Sequence, residues 1–129
     1  MTFFQQEISR IKNNFLLKEY VYDQIALAKK IMDSNSAKLF KLERLAGEAY
    51  YSKFHFIRTF KAIYGRTPRQ YLTAVRIEKA KNLLKNNYPV EAVCQEVGFE
   101  SVSTFSGLFK KTTGFTPGDY KRKRQKEQF

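Results

Sequence analysis

An internal repeat constrains the fold of this chain more than any other feature of its sequence. The segment SKFHFIRTFKAIYGRTPRQY at residues 52–71 aligns with SVSTFSGLFKKTTGFTPGDY at residues 101–120, at an offset of 49 positions. Serine, glycine and the Thr-Pro pair are among the identical residues, and these residue types begin and end helices. The repeat therefore predicts two copies of one helical unit.

Each copy is predicted to be a helix that a glycine ends and a Thr-Pro pair follows. A serine suits the N-cap position, and glycine suits the left-handed residue after the last turn. Proline at the first position of the next helix loses no useful hydrogen bond. These residues are Ser52, Gly65, Thr67 and Pro68 in the first copy, and Ser101, Gly114, Thr116 and Pro117 in the second.

A shorter helix precedes each copy, at residues 42–49 and 90–97, and a tight turn joins it to the repeat. This arrangement is a helix-turn-helix unit, whose second helix can enter a DNA major groove. Within the second helices, apolar residues at helical spacing predict the inward faces. They are Phe56, Phe60 and Ile63 in the first unit, and Phe105, Leu108 and Phe109 in the second.

The segment from Pro68 to about Lys85 contains no further proline and no glycine, and we expect one stiff helix ending at Asn86-Asn87. Its apolar positions are Leu72, Val75, Ala80 and Leu83. Such a helix is roughly 27 Å long, against about 34 Å for one turn of duplex. It is suited to connect two DNA-reading units.

The run from LERLAGEAYYSKFHFIRTF to GFESVSTFSGLFKKTTGFTPGDY resembles the double helix-turn-helix DNA-binding domain of AraC/XylS-type transcription regulators. The resemblance covers about residues 22–123. It implies an all-α fold with two helix-turn-helix subdomains joined by a long linker helix, and two recognition helices in successive major-groove segments. The predicted division is a helical extension at 1–20, subdomains at 21–67 and 88–123, the linker helix at 68–87 and a basic tail at 124–129.

The first twenty residues lie outside the family's core, and the spacing of their apolar residues predicts an extra amphipathic helix. Phe4, Ile8, Ile11 and Phe15 recur on one helical face, which needs a surface to cover it. Packing on the chain's own domain is one interpretation, and a dimer contact or docking on another protein is the other. The apolar face of the next helix is predicted at Val21, Ile25, Ala28 and Met32.

The charge of the chain predicts a polyanionic partner. Lysine and arginine number 24 and acidic residues 12, so the formal net charge is +12. No apolar run approaches the roughly 20 residues of a membrane-spanning helix, so double-stranded DNA is the expected partner rather than a membrane. One chain carries two different reading helices, so we expect it to bind DNA as a monomer. RNA polymerase is a further candidate partner.

Catalytic, cofactor and metal sites are not expected. The single cysteine, Cys94, is interpreted as a core residue, and the single histidine, His55, has no second ligand at i+3 or i+4. No glycine-rich phosphate loop, carboxylate pair or nucleophile constellation is present, so the chain is not expected to be an enzyme. The start, MTFFQQEISRIKNN, does not read as a signal peptide, which predicts a cytoplasmic location.

Helical geometry predicts which side chains face the bases. In the first recognition helix the side away from Phe56 and Phe60 displays an arginine, Arg58, that can bond guanine O6 and N7, and the resemblance points to the same positions. In the second, a glycine stands where many relatives have a basic side chain. The predicted base contacts are Lys53, Phe54, Ile57 and Arg58, then Val102, Ser103, Ser106 and Gly107.

Other side chains next to these faces are predicted to hold phosphates and set the register on DNA. They are Ser52, Lys61, Arg66, Thr67, Arg69, Ser101, Lys110, Lys111 and Thr116. Gly107 has two interpretations: it eases a close backbone approach, or its unit grips phosphates with weak base preference.

The predicted function is sequence-specific DNA binding by a transcription regulator, an activator by family tendency. The alternatives are a non-specific architectural or protein-interaction module, and the DNA-binding part of a longer sensor-regulator. The initial methionine favours a stand-alone regulator over such a part.

Overall fold

The computed structural model describes residues 2–34 and 53–127, except for the side chains of residues 13–18 and 53. All regular structure in these ranges is helical, which confirms the all-α class. The helices are α1 (Phe3–Ser34), α2 (Lys53–Tyr64), α3 (Pro68–Lys85), α4 (Val90–Val97), α5 (Val102–Thr113) and α6 (Pro117–Glu127). The predicted helix at 42–49 lies outside the described residues.

The described residues separate into two compact units. Residues 2–31 and 53–68 belong to the first, and residues 32–34 and 69–127 belong to the second. Beyond its first residue, therefore, α3 belongs to the second unit.

Helix α1 is one continuous helix of 32 residues, across the predicted boundary at residue 20. Neither glycine nor proline occurs between Phe3 and Ser34, so nothing in the backbone interrupts it. The predicted face of its second half is confirmed, because Val21, Ile25, Ala28 and Met32 are all buried. The predicted stripe of its first half behaves differently and stays exposed at Phe4 and Ile11.

In the first unit, α2 buries Phe56 and Phe60 completely, as predicted. The ring of Phe60 lies 4.8 Å from that of Tyr64, and the Lys29 ammonium lies 5.8 Å from the Tyr64 ring. The prediction for Ile63 is wrong, because 46% of this residue is exposed. It shares the geometric face of the two phenylalanines, but it lies in the last turn of α2, where a shared face alone does not guarantee cover.

The core of the second unit gathers apolar side chains from α3, α4, α5 and α6. Three phenyl groups meet in sequence, with Phe99 5.3 Å from Phe105 and Phe105 5.7 Å from Phe109, and Phe109 lies 5.3 Å from Tyr120. Complete burial of such a side chain contributes about 1.5–3 kcal/mol. The buried members are Ile77, Ala80, Leu84, Val93, Cys94, Val97, Phe105, Phe109 and Tyr120.

Helix α3 has the predicted extent, and of its predicted apolar positions Ala80 is fully buried. Ile77, Ala80 and Leu84 are buried, whereas Leu72 and Val75 are only half-buried. The helix ends where predicted, and Asn87 adopts a left-handed φ of 67° just after it. Asparagine tolerates this conformation better than most residues.

Charged groups of α3 also have specific partners. Arg76 is buried, with its guanidinium 5.6 Å from the Phe99 ring, and this burial lowers its pKa. The Lys79 ammonium donates to the main-chain oxygen of Asp33, 3.4 Å away, and Tyr71 donates to the Asp33 carboxylate at 2.6 Å. Arg76 is therefore part of the packed interior rather than a solvated side chain.

Candidate nucleic-acid interface

Helices α4 and α5 form a helix-turn-helix unit whose turn is set by two residues. Gly98 has a φ of 95°, and the main-chain N–H groups after α4 donate to the carbonyls of Cys94 and Gln95. Ser101 then caps α5, with its hydroxyl oxygen accepting from the Thr104 N–H at 3.1 Å. Both the boundaries of α4 and the serine cap agree with the sequence prediction. Together they fix where α5 begins and which side it presents.

Burial of Phe105 and Phe109 leaves the opposite side of α5 facing solvent. Ser103, Gly107 and Lys110 follow one another at i, i+4 and i+7 along that side, and all three are exposed. Such a row on the second helix of a helix-turn-helix unit is available to a DNA groove.

Helix α2 presents the same row in the first unit. Phe54, Arg58 and Lys61 are the counterparts of Ser103, Gly107 and Lys110 at the offset of 49, and they too are exposed. Phe54 is the most exposed of them at 73%. The internal repeat thus corresponds to a repeated surface, which carries different side chains in its two copies.

The remaining predicted base contacts flank these rows. Ile57 and Ser106 occupy equivalent positions and are half-buried, while Val102 is 40% exposed at the start of α5. Lys53 begins α2, and its side chain lies outside the described residues. An apolar, partly exposed group at the groove can contact a thymine methyl.

Gly107 is an open position on the surface of α5. A β-carbon added there would meet no atom within 4 Å. The interpretation that this glycine eases a close backbone approach therefore finds no support in the described residues. Its cost relative to alanine in a helix interior is about 1 kcal/mol, so the residue lowers helix stability without a packing benefit.

Basic groups predicted to hold phosphates mostly face solvent. Lys61, Arg66, Arg69, Lys110 and Lys111 are exposed, as is Ser101. Thr67 and Thr116 are half-buried and directly precede α3 and α6. The Thr116 hydroxyl accepts from the Asp119 N–H at 3.2 Å, so it also caps α6. Ser52 lies outside the described residues.

The predicted glycine stops belong to this surface as well. Gly65 and Gly114 have φ values of 76° and 85°, and each N–H donates to the carbonyl four residues earlier. Residues other than glycine are strained in this region. The Thr-Pro starts of α3 and α6 are confirmed together with them.

Helix α6 gives its basic groups partners that the sequence did not predict. Arg122 and Asp119 form an ion pair, and this bond to Arg122 is the main reason why the pKa of Asp119 is lowered. The Lys123 ammonium lies 4.5 Å from the Phe115 ring, and the Arg124 guanidinium lies 5.2 Å from the Tyr120 ring. A hydrogen bond with Tyr120 raises the pKa of Arg124. The i, i+3 spacing of Asp119 and Arg122 was the available signal.

Cys94 and His55 belong to no cluster of metal-ligand side chains in the part of the chain that the structure describes. Cys94 is buried, as predicted, and burial raises the pKa of its thiol. Its sulfur lies 3.6 Å from the Phe99 carbonyl oxygen. Within residues 2–34 and 53–127 there is no group of three or more His, Cys, Asp or Glu side chains that could hold a metal ion. In the same ranges no helix combines the length and apolar character needed to span a membrane.

Comparisons with known proteins agree with this architecture. A family model described as a helix-turn-helix domain matches residues 45–123. The chain is 44% identical over 84 residues to the MmsAB operon regulatory protein of Pseudomonas aeruginosa, covering 64% of this chain and 27% of that protein. It is 34% identical over 99 residues to a putative AraC-like transcription regulator of Streptomyces antibioticus, covering 76% and 33%.

A solved structure of the DNA-binding domain of AdpA, a global transcriptional factor, in complex with a target DNA also matches. Its TM-score is 0.68 at 29% identity, and the match covers 83% of this chain and 94% of that one. The chain thus spans nearly all of a DNA-binding domain, but only 27% and 33% of the two curated relatives.

Proposed function

The chain belongs to the AraC-type helix-turn-helix family, and from this premise we propose that it is a sequence-specific DNA-binding transcription regulator. Helices α2 and α5 enter successive major-groove segments of double-stranded DNA. The observation that carries the proposal is the repeated exposed row, Phe54–Arg58–Lys61 on α2 and Ser103–Gly107–Lys110 on α5. The net charge of +12 supplies the general attraction to DNA.

Direct readout is assigned first to α2. Arg58 reaches guanine O6 and N7 with two parallel hydrogen bonds, and Phe54 packs on a thymine methyl one helical turn away. Helix α5 contributes weaker base preference through Val102 and the serine hydroxyls of Ser103 and Ser106. The side chains of Lys53 and Ile57 complete the reading surface of α2.

Phosphate contacts fix the position of both reading helices. Exposed lysine and arginine side chains and the first N–H groups of helices bind the DNA backbone without reading sequence. The groups assigned this role are Ser52, Lys61, Arg66, Thr67, Arg69, Ser101, Lys110, Lys111 and Thr116.

One chain occupies one asymmetric site, because it supplies two non-identical reading helices by itself. We further propose that the regulator activates transcription, with RNA polymerase as a second partner. It acts in the cytoplasm, where it meets the chromosome. We assign no catalytic step to the chain. Its role as the DNA-binding part of a longer sensor-regulator is the second candidate, which the partial coverage of the curated relatives favours.

Selection of binding sites from random duplexes tests the proposal, followed by mobility shifts with the selected and a scrambled duplex. We expect an asymmetric motif and a preference of about a thousandfold or more over the scrambled duplex. The purified chain and DNA are kept dilute, and the number of chains bound to each single-site duplex is measured. We expect one chain per duplex. Equal affinity for both duplexes would instead indicate a non-specific architectural protein.

A further inference from the structure

The N-terminal half of α1 exposes apolar side chains on a face that its own unit does not cover. Phe4 is 71% exposed, Ile11 61% and Ile8 36%. This face lies roughly 100° around the helix axis from the buried face of Val21 and Ile25, given 3.6 residues per turn. A patch of exposed apolar residues often marks a site where another molecule binds, whereas scattered single residues do not.

The spacing along this face is that of a coiled-coil seam. Phe4, Ile8, Ile11 and Phe15 are separated by intervals of four, three and four residues, which places them at alternating d and a positions of a heptad repeat. Lys18 stands at the next seam position and limits the apolar part to residues 4–15. The seam is short, but its helix is already formed, because α1 is continuous with the packed segment from Val21 onward. Association therefore bears little of the cost of helix formation.

The charges that flank the seam indicate what covers it. Glu7 falls at a g position and Lys12 at the following e position, and both belong to the solvent-accessible surface. In a parallel pair of helices these positions meet across the interface, whereas an antiparallel pair sets g beside g and e beside e. Glu7 also accepts from Arg10 at 2.8 Å within α1, an exposed contact of small energetic value.

We propose that residues 4–15 of α1 bind the same segment of a second copy of this chain as a short parallel coiled coil, with Glu7 of each copy beside Lys12 of the other. Each copy keeps its own DNA-binding surface, since α2 and α5 take no part in the contact. Two chains joined in this way bind neighbouring sites cooperatively, because the first bound copy raises the effective concentration of the second.

Sedimentation equilibrium of the whole chain without DNA measures the contact apart from DNA binding. We expect a reversible dimer, and we expect Ile8→Glu to weaken it about tenfold or more, because a carboxylate would enter the apolar seam. Gln6→Glu is the matched control, since it adds the same charge on the opposite face of the helix and leaves the dimer unchanged. Circular dichroism of each variant confirms that the helix content is retained.

Exchange of the flanking charges tests the register. Glu7→Lys and Lys12→Glu each weaken the dimer about threefold to tenfold, and the double exchange restores it to within about twofold, because only the double variant recreates opposite charges across the seam. The double exchange does not recreate the Glu7–Arg10 pair, so recovery reports the contact between copies. Failure of the double variant to recover overturns the proposal, as does a monomer at every concentration up to about 1 mM.

Cross-linking gives an independent measurement of orientation. In a parallel pair each Ile8 faces its own counterpart, so Ile8→Cys forms a disulfide-linked dimer under mild oxidation, while Gln6→Cys on the opposite face does not. Equal cross-linking of the two variants, or linkage of Ile8→Cys only to Ile11→Cys in a mixture, overturns the parallel arrangement and with it the proposal.

Discussion

Arg58 and Gly107 occupy equivalent positions of α2 and α5, and both positions face solvent. The difference between them is chemical rather than geometric. An arginine presents a planar group of donors that matches the guanine edge, and a glycine presents none. Lys61 and Lys110 are equivalent and identical, so the two helices share the group that we assign to phosphates while differing in the group that we assign to bases.

Arg58→Ala and Lys110→Ala should therefore weaken DNA binding in different ways. Loss of Arg58 should cost about 1–3 kcal/mol and relax the preference at one base pair, because a bidentate contact is removed. Loss of Lys110 should weaken binding to all sequences alike and lower the salt slope by about one. Binding isotherms on single-base variants of the site at several salt concentrations distinguish the two. An unchanged base preference in Arg58→Ala would remove this residue from the reading surface.

At the scale of the helices, the sequence predicts where a helix starts and ends better than it predicts which of its residues are buried. The start of α5 after Ser101, the stops at Gly65 and Gly114 and the start of α3 at Pro68 follow from local backbone chemistry, which one segment contains in full. The extent of α4 was predicted for the same reason.

Burial was less predictable, because it depends on elements that are distant in sequence. Ile63 shares a helical face with Phe60, but periodicity does not tell whether another element reaches its turn. Arg76 gave no sign of burial because its partner, the Phe99 ring, lies 23 residues later, in the turn between α4 and α5. Similarly, the two rows of the candidate site follow from the repeat, whereas the open space at Gly107 depends on how the neighbouring elements pack.

The serine cap of α5 is a local feature with a measurable contribution to stability. Ser101→Ala removes the acceptor of the Thr104 N–H and should lower the free energy of unfolding by about 1 kcal/mol. Ser103→Ala is the matched control, because this exposed serine lies inside the same helix, and it should change stability by less than about 0.5 kcal/mol. Urea denaturation of both variants measures the difference. Equal midpoints for the two variants would show that the cap contributes nothing.

At the scale of the whole molecule, the two units should contribute unequally to sequence recognition. Only the first has an arginine in its exposed row, while Ser103 and Gly107 give the second a short polar group and a bare backbone beside its lysine. Both units nevertheless carry exposed lysines or arginines that we assign to phosphates. Affinity should thus be shared between the units, and specificity should lie mainly in the first.

Base substitutions under the first unit should therefore cost more than those under the second, near the upper end of about 1–3 kcal/mol per mismatch. Gly107→Arg should add a preference for guanine under α5, because a β-carbon added there meets no atom within 4 Å and a longer donor can extend toward the groove. Binding-site selection with the original chain and the variant measures both effects. Equal information in the two halves of the original site would contradict the asymmetry, and an unchanged second half in the variant would show that position 107 does not face the bases.

The matching left-handed glycines, Gly65 and Gly114, bear on how such a protein changes over generations. Both copies of the repeat retain the residues that shape the backbone, while their solvent-facing rows share only the terminal lysine. Residues that shape the backbone and residues that face solvent can therefore be substituted separately. In a duplicated gene segment of this kind, one copy can hold the ancestral target while the other accumulates substitutions, and new promoters come under control without loss of the old ones.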